Sequence, residues 1–167
     1  LTSELKLEDF FTPDYLYDFF SELYGIPTDR RDARKRMLFA RFGIQEFAQV
    51  RVRDLSTGMK QKVSLVISLV QDPEIIIFDE PTNGLDILTA KVVTDFLLDL
   101  KEQGKTIIVS THIFSLVEKI CDRVGIIISG RMAACEDLWT LCGDKSLEDR
   151  FFEIYEAVNG EEENHDK

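Results

Sequence analysis

The sequence predicts an α/β core with mainly parallel strand pairing, preceded by an N-terminal helical segment. Three observations predict it. Short β-branched runs at 75–78, 105–110 and 124–128 alternate with segments of helical period, the pattern of strands joined by crossover helices. Residues 1–54 hold helix-period segments and no such run. Finally, 167 residues with 44% apolar and 31% charged side chains are enough for one domain with a real core.

The elements follow in order. Thr12 can cap a helix, Pro13 suits its first turn, and Leu16, Phe19, Phe20 and Leu23 recur at helical spacing until Gly25-Ile26-Pro27 stops it. A second helix runs from Thr28 or Asp29 to about Phe42 and ends at Gly43. Its basic residues, Arg30, Arg31, Arg34, Lys35, Arg36 and Arg41, form either a solvated face or a contact for a partner. Ser56 is a good N-cap for a third helix, with Val63, Val66, Ile67 and Val70 on one face, broken by Asp72-Pro73. The apolar strand Ile75–Phe78 comes next, then a loop, and a helix from about Leu88 to Gln103 ended by Gly104. A strand over Lys105–Ser110, a short helix to about Cys121, and two strands turning at Ser129-Gly130 complete the core. A last helix starts at Leu147 and reaches about Val158, and the polar stretch NGEEENHDK reads as disordered.

Composition removes several function classes. A net charge of −11 argues against a nucleic-acid binder, and no run approaches the ~18 apolar residues of a membrane span. The first residues carry acids and no apolar signal core, and a chain opening at Leu1 reads as a piece of something longer. Cys121, Cys135 and Cys142, at spacings of 14 and 7, form no CxxC pair and read as reduced thiols of a cytosolic protein.

The chemistry centres on EIIIFDEPTNGLD. An apolar strand ending in Asp79-Glu80 places two carboxylates at its C-terminal edge, where open α/β sheets bind ligands. Neighbouring strand residues point in different directions, so the pair can serve two partners. Asp79 suits a Mg²⁺ held through water, and Glu80 an attacking water. LSTGMKQ (Leu55–Gln61) lies upstream, TNGLD (Thr82–Asp86) follows, and Ser110-Thr111-His112 ends the next strand.

Those motifs, in that order, resemble the ATP-binding subunits of ABC transporters. LSTGMKQ is similar to the LSGGQ signature, IIIFDE to the extended Walker B, NGLD to the D-loop and His112 to the H-loop histidine. LSTGMKQ with DEPTNGLD, and SLEDRFFEIYE near the end, further resemble the ABC-2 exporter type; Ile87 stands where Pro is common and Phe78 where Leu is frequent. The resemblance implies a partial P-loop NTPase (RecA-like) core carrying a helical signature subdomain. It divides the chain into a helical subdomain (1–54), the signature helix with the C-terminal half of the ATPase core (55–143), a closing helix (144–158) and an acidic tail (159–167). It implies Glu80 and His112 as catalytic residues, Asp79 as the Mg²⁺ residue, and Ser56, Thr57, Gly58, Gln61 and Asp86 as contacts to ATP held by a second subunit. On the residues alone, Ser56 is by default a plain helix cap and His112 is more often a structural hydrogen-bonder.

Further expectations follow from the resemblance. Partners are a second ATP-binding subunit and a membrane-spanning permease touched by residues 1–53, with no nucleic acid; the place is cytoplasmic, on the inner face of the cell membrane. Cofactors are ATP and Mg²⁺. Yet the phosphate loop GxxxxGK(S/T) is absent: Gly104-Lys105-Thr106 lacks the first glycine (position 99 is Asp99) and leads into a strand, so it reads as a helix C-cap. The family's glutamine loop would fall near Thr2 or Ser3. Without the phosphate-loop strand the sheet has a gap, expected to close by rearrangement or by pairing with another copy. The chain alone is expected to be inactive. Non-transport ABC ATPases of translation or DNA repair, and a non-catalytic interaction module, are the alternative readings.

Overall fold

Thr12 opens the first helix as its composition suggests: its hydroxyl accepts from the Tyr15 N–H at 3.2 Å, with Pro13 in the first turn. The structure, a computed structural model, describes residues 8–165; Thr2 and Ser3 lie outside the described residues. Helix α1 (Pro13–Leu23) is followed by α2 (Thr28–Phe42), two short 3₁₀ turns at Ile44–Phe47 and Val52–Asp54, and α3 (Thr57–Ser68). Strand β1 (Ile75–Asp79), α4 (Ile87–Glu102) and β2 (Thr106–Ser110) follow. Then come α5 (Phe114–Ile120), β3 (Arg123–Ile128), β4 (Arg131–Asp137), α6 (Leu138–Cys142) and α7 (Leu147–His165). The chain forms two compact units that divide after Ser110.

In the first unit, β1 and β2 pair in parallel from Ile75↔Thr106 to Asp79↔Ser110, joined by α4 as a βαβ crossover. Ile76 and Phe78 of β1 are buried, as are Val93, Phe96, Leu97 and Leu100 of α4. Phe42 of α2 meets Phe96 edge-on at 5.1 Å between centroids, so the helices and the crossover share one apolar interior. The apolar run IIIF reads as a strand buried on both faces. In the structure only one face is covered: Ile75, Ile77 and Ile108 are more than half exposed, because no layer of the described residues of this unit packs on their side.

Four of the six basic residues of α2 find carboxylates within the unit. Arg31 pairs with Asp32 at 2.9 Å and Asp18 at 3.4 Å, and Arg34 with Asp72 at 2.9 Å. Lys35 pairs with Asp14 and Asp18, and Arg41 with Asp99 at 2.6 Å. Of the two readings open for this face, these four side chains support neither in full: they tie helices together.

Gly104 closes α4. At φ +81 it occupies the left-handed region, its N–H donates to Lys101 O at 2.9 Å, and the Lys105 N–H reaches back to Leu100 O at 3.1 Å. That is the paired bonding of a Schellman cap, and β2 starts two residues later, so this GKT does cap a helix.

Tyr17, 1% exposed, packs its ring edge-on against Phe39 at 5.6 Å, while its hydroxyl is buried with no hydrogen-bond partner among the described residues. Burial pushes the phenol up to about 12 from 10.0. The unfolded chain ionises first, so the stability that neutral Tyr17 contributes is present below pH ~10 and is lost as the pH rises through ~12. Tyr17→Phe deletes the unsatisfied group and keeps the ring. Thermal unfolding is expected to show a gain of ~1 kcal/mol, or ~2–4 °C, and a flatter profile between pH 10 and 12. A loss of stability in the variant would mean that the hydroxyl has a partner.

In the second unit β3 and β4 form an antiparallel hairpin with a bulge between Ile126 and Ile127. Ser129 (φ 49) and Gly130 (φ 76) both take positive φ, which the two-residue turn requires. Val124, Ile126 and Ile128 point into a core with Leu141 and Leu147, flanked by Phe114, Phe151 and Ile154. Helix α7 continues past Val158, where disorder was expected, to His165. Ser146 starts it by accepting from the Asp149 N–H at 3.1 Å, and glutamates past Val158 are good helix formers that propagate it.

Each sheet has two strands: among the described residues β2 pairs only with β1, and β3 only with β4. The expected closure of the gap by rearrangement is therefore not seen; the outer edge of β2 carries no strand.

Candidate functional site

Strand β1 delivers Asp79 to the sheet's C-terminal edge beside Ser110, its cross-strand partner, whose hydroxyl donates to Asp79 Oδ1. The ladder adds one more bond beyond the strand: the Glu80 N–H donates to Ser110 O at 2.9 Å. Then the backbone breaks direction. Glu80 adopts φ 48, a left-handed conformation that costs a non-glycine residue ~1–3 kcal/mol. Asp79 is exposed and Glu80 half-buried.

The loop after Glu80 is two overlapping turns, Asn83 N–H to Glu80 O at 3.1 Å and Leu85 N–H to Thr82 O at 3.3 Å. It ends at Asp86, which caps α4: Oδ1 accepts from the Leu88 and Thr89 N–H groups, both at 3.0 Å, and Oδ2 from the Thr89 hydroxyl at 2.7 Å. The Thr89 hydroxyl, then the Thr89 N–H, hold the Asp86 carboxyl below its usual range. Asp86 is thus the N-cap of α4 in this geometry.

Helix α3 faces this loop. Ser56 caps it by accepting from the Met59 N–H at 3.3 Å, and its own O–H stays available to donate. Thr57 and Gly58 follow in the first turn, where free N–H groups and the helix dipole favour an anion. Gln61, one turn on, reaches the Asn83 carbonyl at 3.0 Å. A cleft opens between Gln61, Lys62, Ser64 and Leu65 of α3 and Phe78, Asp79, Glu80, Pro81 and Leu85.

His112 belongs to the second unit, where it is exposed in the loop before α5. Within the first unit the structure brings Asp79, Glu80, Gln61 and Asp86 around one loop. Two participants escaped the sequence reading as individual residues, Ser110 on Asp79 and Asn83 on Gln61. For Ser110 a signal existed, its place at the end of the strand that follows β1.

A hard cation such as Mg²⁺ keeps several waters and needs one or two carboxylates plus phosphate oxygens. Among the described residues no cluster of three His, Cys, Asp or Glu side chains is arranged for a metal. A single exposed carboxylate fits that requirement, and Asp79 is one. Lys105, in the GKT that mimics a phosphate loop, is committed elsewhere: its ammonium donates to Glu74 at 2.9 Å and to Asp72 O at 3.2 Å.

Residues 3–83 match the ABC transporter family. The chain is 40% identical over 129 residues to the ABC transporter ATP-binding protein NatA of Bacillus subtilis, covering 77% of this chain and 52% of that protein. It is 36% identical over 118 residues to a fluoroquinolones export ATP-binding protein of Mycobacterium tuberculosis, covering 71% and 38% respectively. With Nod factor export ATP-binding protein I of Rhizobium johnstonii it shares 42% over 96 residues, 58% of this chain and 30% of the relative. The chain thus spans about half, or less, of the length of these relatives. A solved ATP-binding subunit of an ABC transporter superposes with a TM-score of 0.84 at 26% identity, covering 92% of this chain and 67% of that one. No helix of the described residues is long and apolar enough to cross a membrane.

Proposed function

The chain belongs to the ABC transporter family of ATP-binding subunits, and from that premise we propose that it supplies the water-activating part of an ATP hydrolysis site that drives export. The observation that carries this reading is the strand end where Asp79, braced by Ser110, stands next to a Glu80 turned out of the strand direction. Asp79 would hold Mg²⁺ through water, and the bound metal would supply neutralisation of the charge on the phosphates. Ser110, by donating to Oδ1, fixes the orientation of the Asp79 carboxylate. Glu80 orients the attacking water and takes its proton. Its half-buried position favours that role over a metal contact, since the side chain leaves the strand on a different bearing from Asp79.

Ser56, Thr57 and Gly58 at the start of α3 meet the phosphates of ATP bound to a second copy or a paired subunit, and Asp86 serves as a dimer contact. His112 donates to a γ-phosphate oxygen. The exposed rings of Phe11, Tyr15 and Phe19, stacked at 4.5 and 6.3 Å, support α1 as the surface that meets a membrane-spanning permease. The protein then works at the cytoplasmic face of the cell membrane.

The 167-residue chain has no GxxxxGK(S/T) to cradle a β-phosphate. Titration of the purified chain with a fluorescent ATP analogue is expected to show no micromolar binding and no phosphate release. Micromolar affinity would place a phosphate cradle within these residues and overturn the division of labour.

A further inference from the structure

The resemblance puts Gln61 among residues that face ATP on a second subunit, but its amide is engaged inside its own chain. We propose that Gln61 is a positioning residue that ties the signature helix to the loop between Glu80 and Asp86, and so sets the placement of Glu80. The proposal rests on the hydrolytic reading of Glu80 for its consequence in turnover, though not for the tether itself.

Four observations converge. A backbone carbonyl only accepts, so the 3.0 Å contact with Asn83 O requires Gln61 to present its NH₂. The other end of the amide, Oε1, is buried with no hydrogen-bond partner among the described residues, so the donor bond is what orients the side chain. Gly84 takes φ +70, and a Cβ built there would stand 3.7 Å from Gln61 Nε2; the loop backbone passes directly against the amide. The same residue, Asn83, donates its N–H to Glu80 O at 3.1 Å. Gln61, Asn83 and Glu80 therefore form a short chain of bonds from α3 to the backbone that carries the Glu80 carboxylate. A displacement at the start of α3 reaches Glu80 through two hydrogen bonds and one rigid turn.

Hydrogen exchange on the purified chain tests the tether. Gln61→Glu keeps the shape and loses the donor, placing a carboxylate against a carbonyl; Gln61→Ala loses both. Both variants are expected to speed exchange at the Asn83 and Leu85 amides ~2–13-fold, the value of one net hydrogen bond, while the β1 amides keep wild-type protection. Wild-type exchange at Asn83 and Leu85 in both variants overturns the proposal. So does protection retained in Gln61→Glu but lost in Gln61→Ala, which makes Gln61 a filler, or faster exchange spread equally over β1, which makes it a general stabiliser. In the assembled ATPase the variants are expected to lower kcat by a similar factor at unchanged KM for ATP. A raised KM with unchanged kcat makes Gln61 a nucleotide contact and overturns the positioning role. If the wild-type assembly does not hydrolyse ATP, the hydrolytic reading fails while the exchange comparison still decides the tether.

Discussion

Glu80→Gln is expected to slow ATP hydrolysis by ~10²–10⁴-fold in the assembled ATPase, the loss that follows removal of a general base. Nucleotide binding should persist, because Asp79, with its Ser110 hydrogen bond, and the start of α3 are left in place. The change removes a charge and little volume. The backbone bond from residue 80 to Ser110 O does not depend on the side chain, so the loop should keep its shape. Phosphate release and the stoichiometry of trapped nucleotide together read the two effects. Unchanged turnover would take Glu80 out of the mechanism and leave the strand end as a metal site only.

Phe42→Ala should have the largest effect on stability. Phe42 is 2% exposed and meets Phe96 edge-on, so truncation opens a cavity where α2 meets α4. Such deletions cost ~3–5 kcal/mol, which for a chain of this size lowers the thermal midpoint by ~6–20 °C. Total stability of a domain is only ~5–15 kcal/mol, so much of the margin disappears. Thermal or urea unfolding followed by circular dichroism measures it. A shift within ~1 kcal/mol would mean that the contact between these helices is not part of the cooperative unit.

Helix limits were legible wherever one residue does an unambiguous local job. Thr12 and Pro13 start α1, Gly43 follows α2, Ser56 and Asp86 cap α3 and α4, and Gly104 ends α4. The strand runs were legible as runs, but their depth was not. A sequence such as IIIF does not say whether a second layer exists, and here Ile75 and Ile77 face outward. Helix α6 was not legible because five residues span little more than one turn, and its N-cap Asp137 makes no side-chain capping bond. Of the site, the carboxylates and the α3 cap could be read directly from residue type. Arrangements that depend on tertiary register could not: Arg34 with Asp72, Gln61 with Asn83 and Ser110 with Asp79 are pairs of residues far apart in the chain.

The left-handed backbone at position 80 has a consequence for anyone improving this protein. Conformation and chemistry want different residues there. Glycine, or failing that asparagine, is the relaxed occupant of such a φ, yet neither has a carboxylate. With Glu80 in the role proposed for it, a directed-evolution screen that rewards heat resistance alone would drift toward one of them and return a tougher, silent protein. Any stabilisation campaign on this chain should hold position 80 fixed and look for its gains elsewhere.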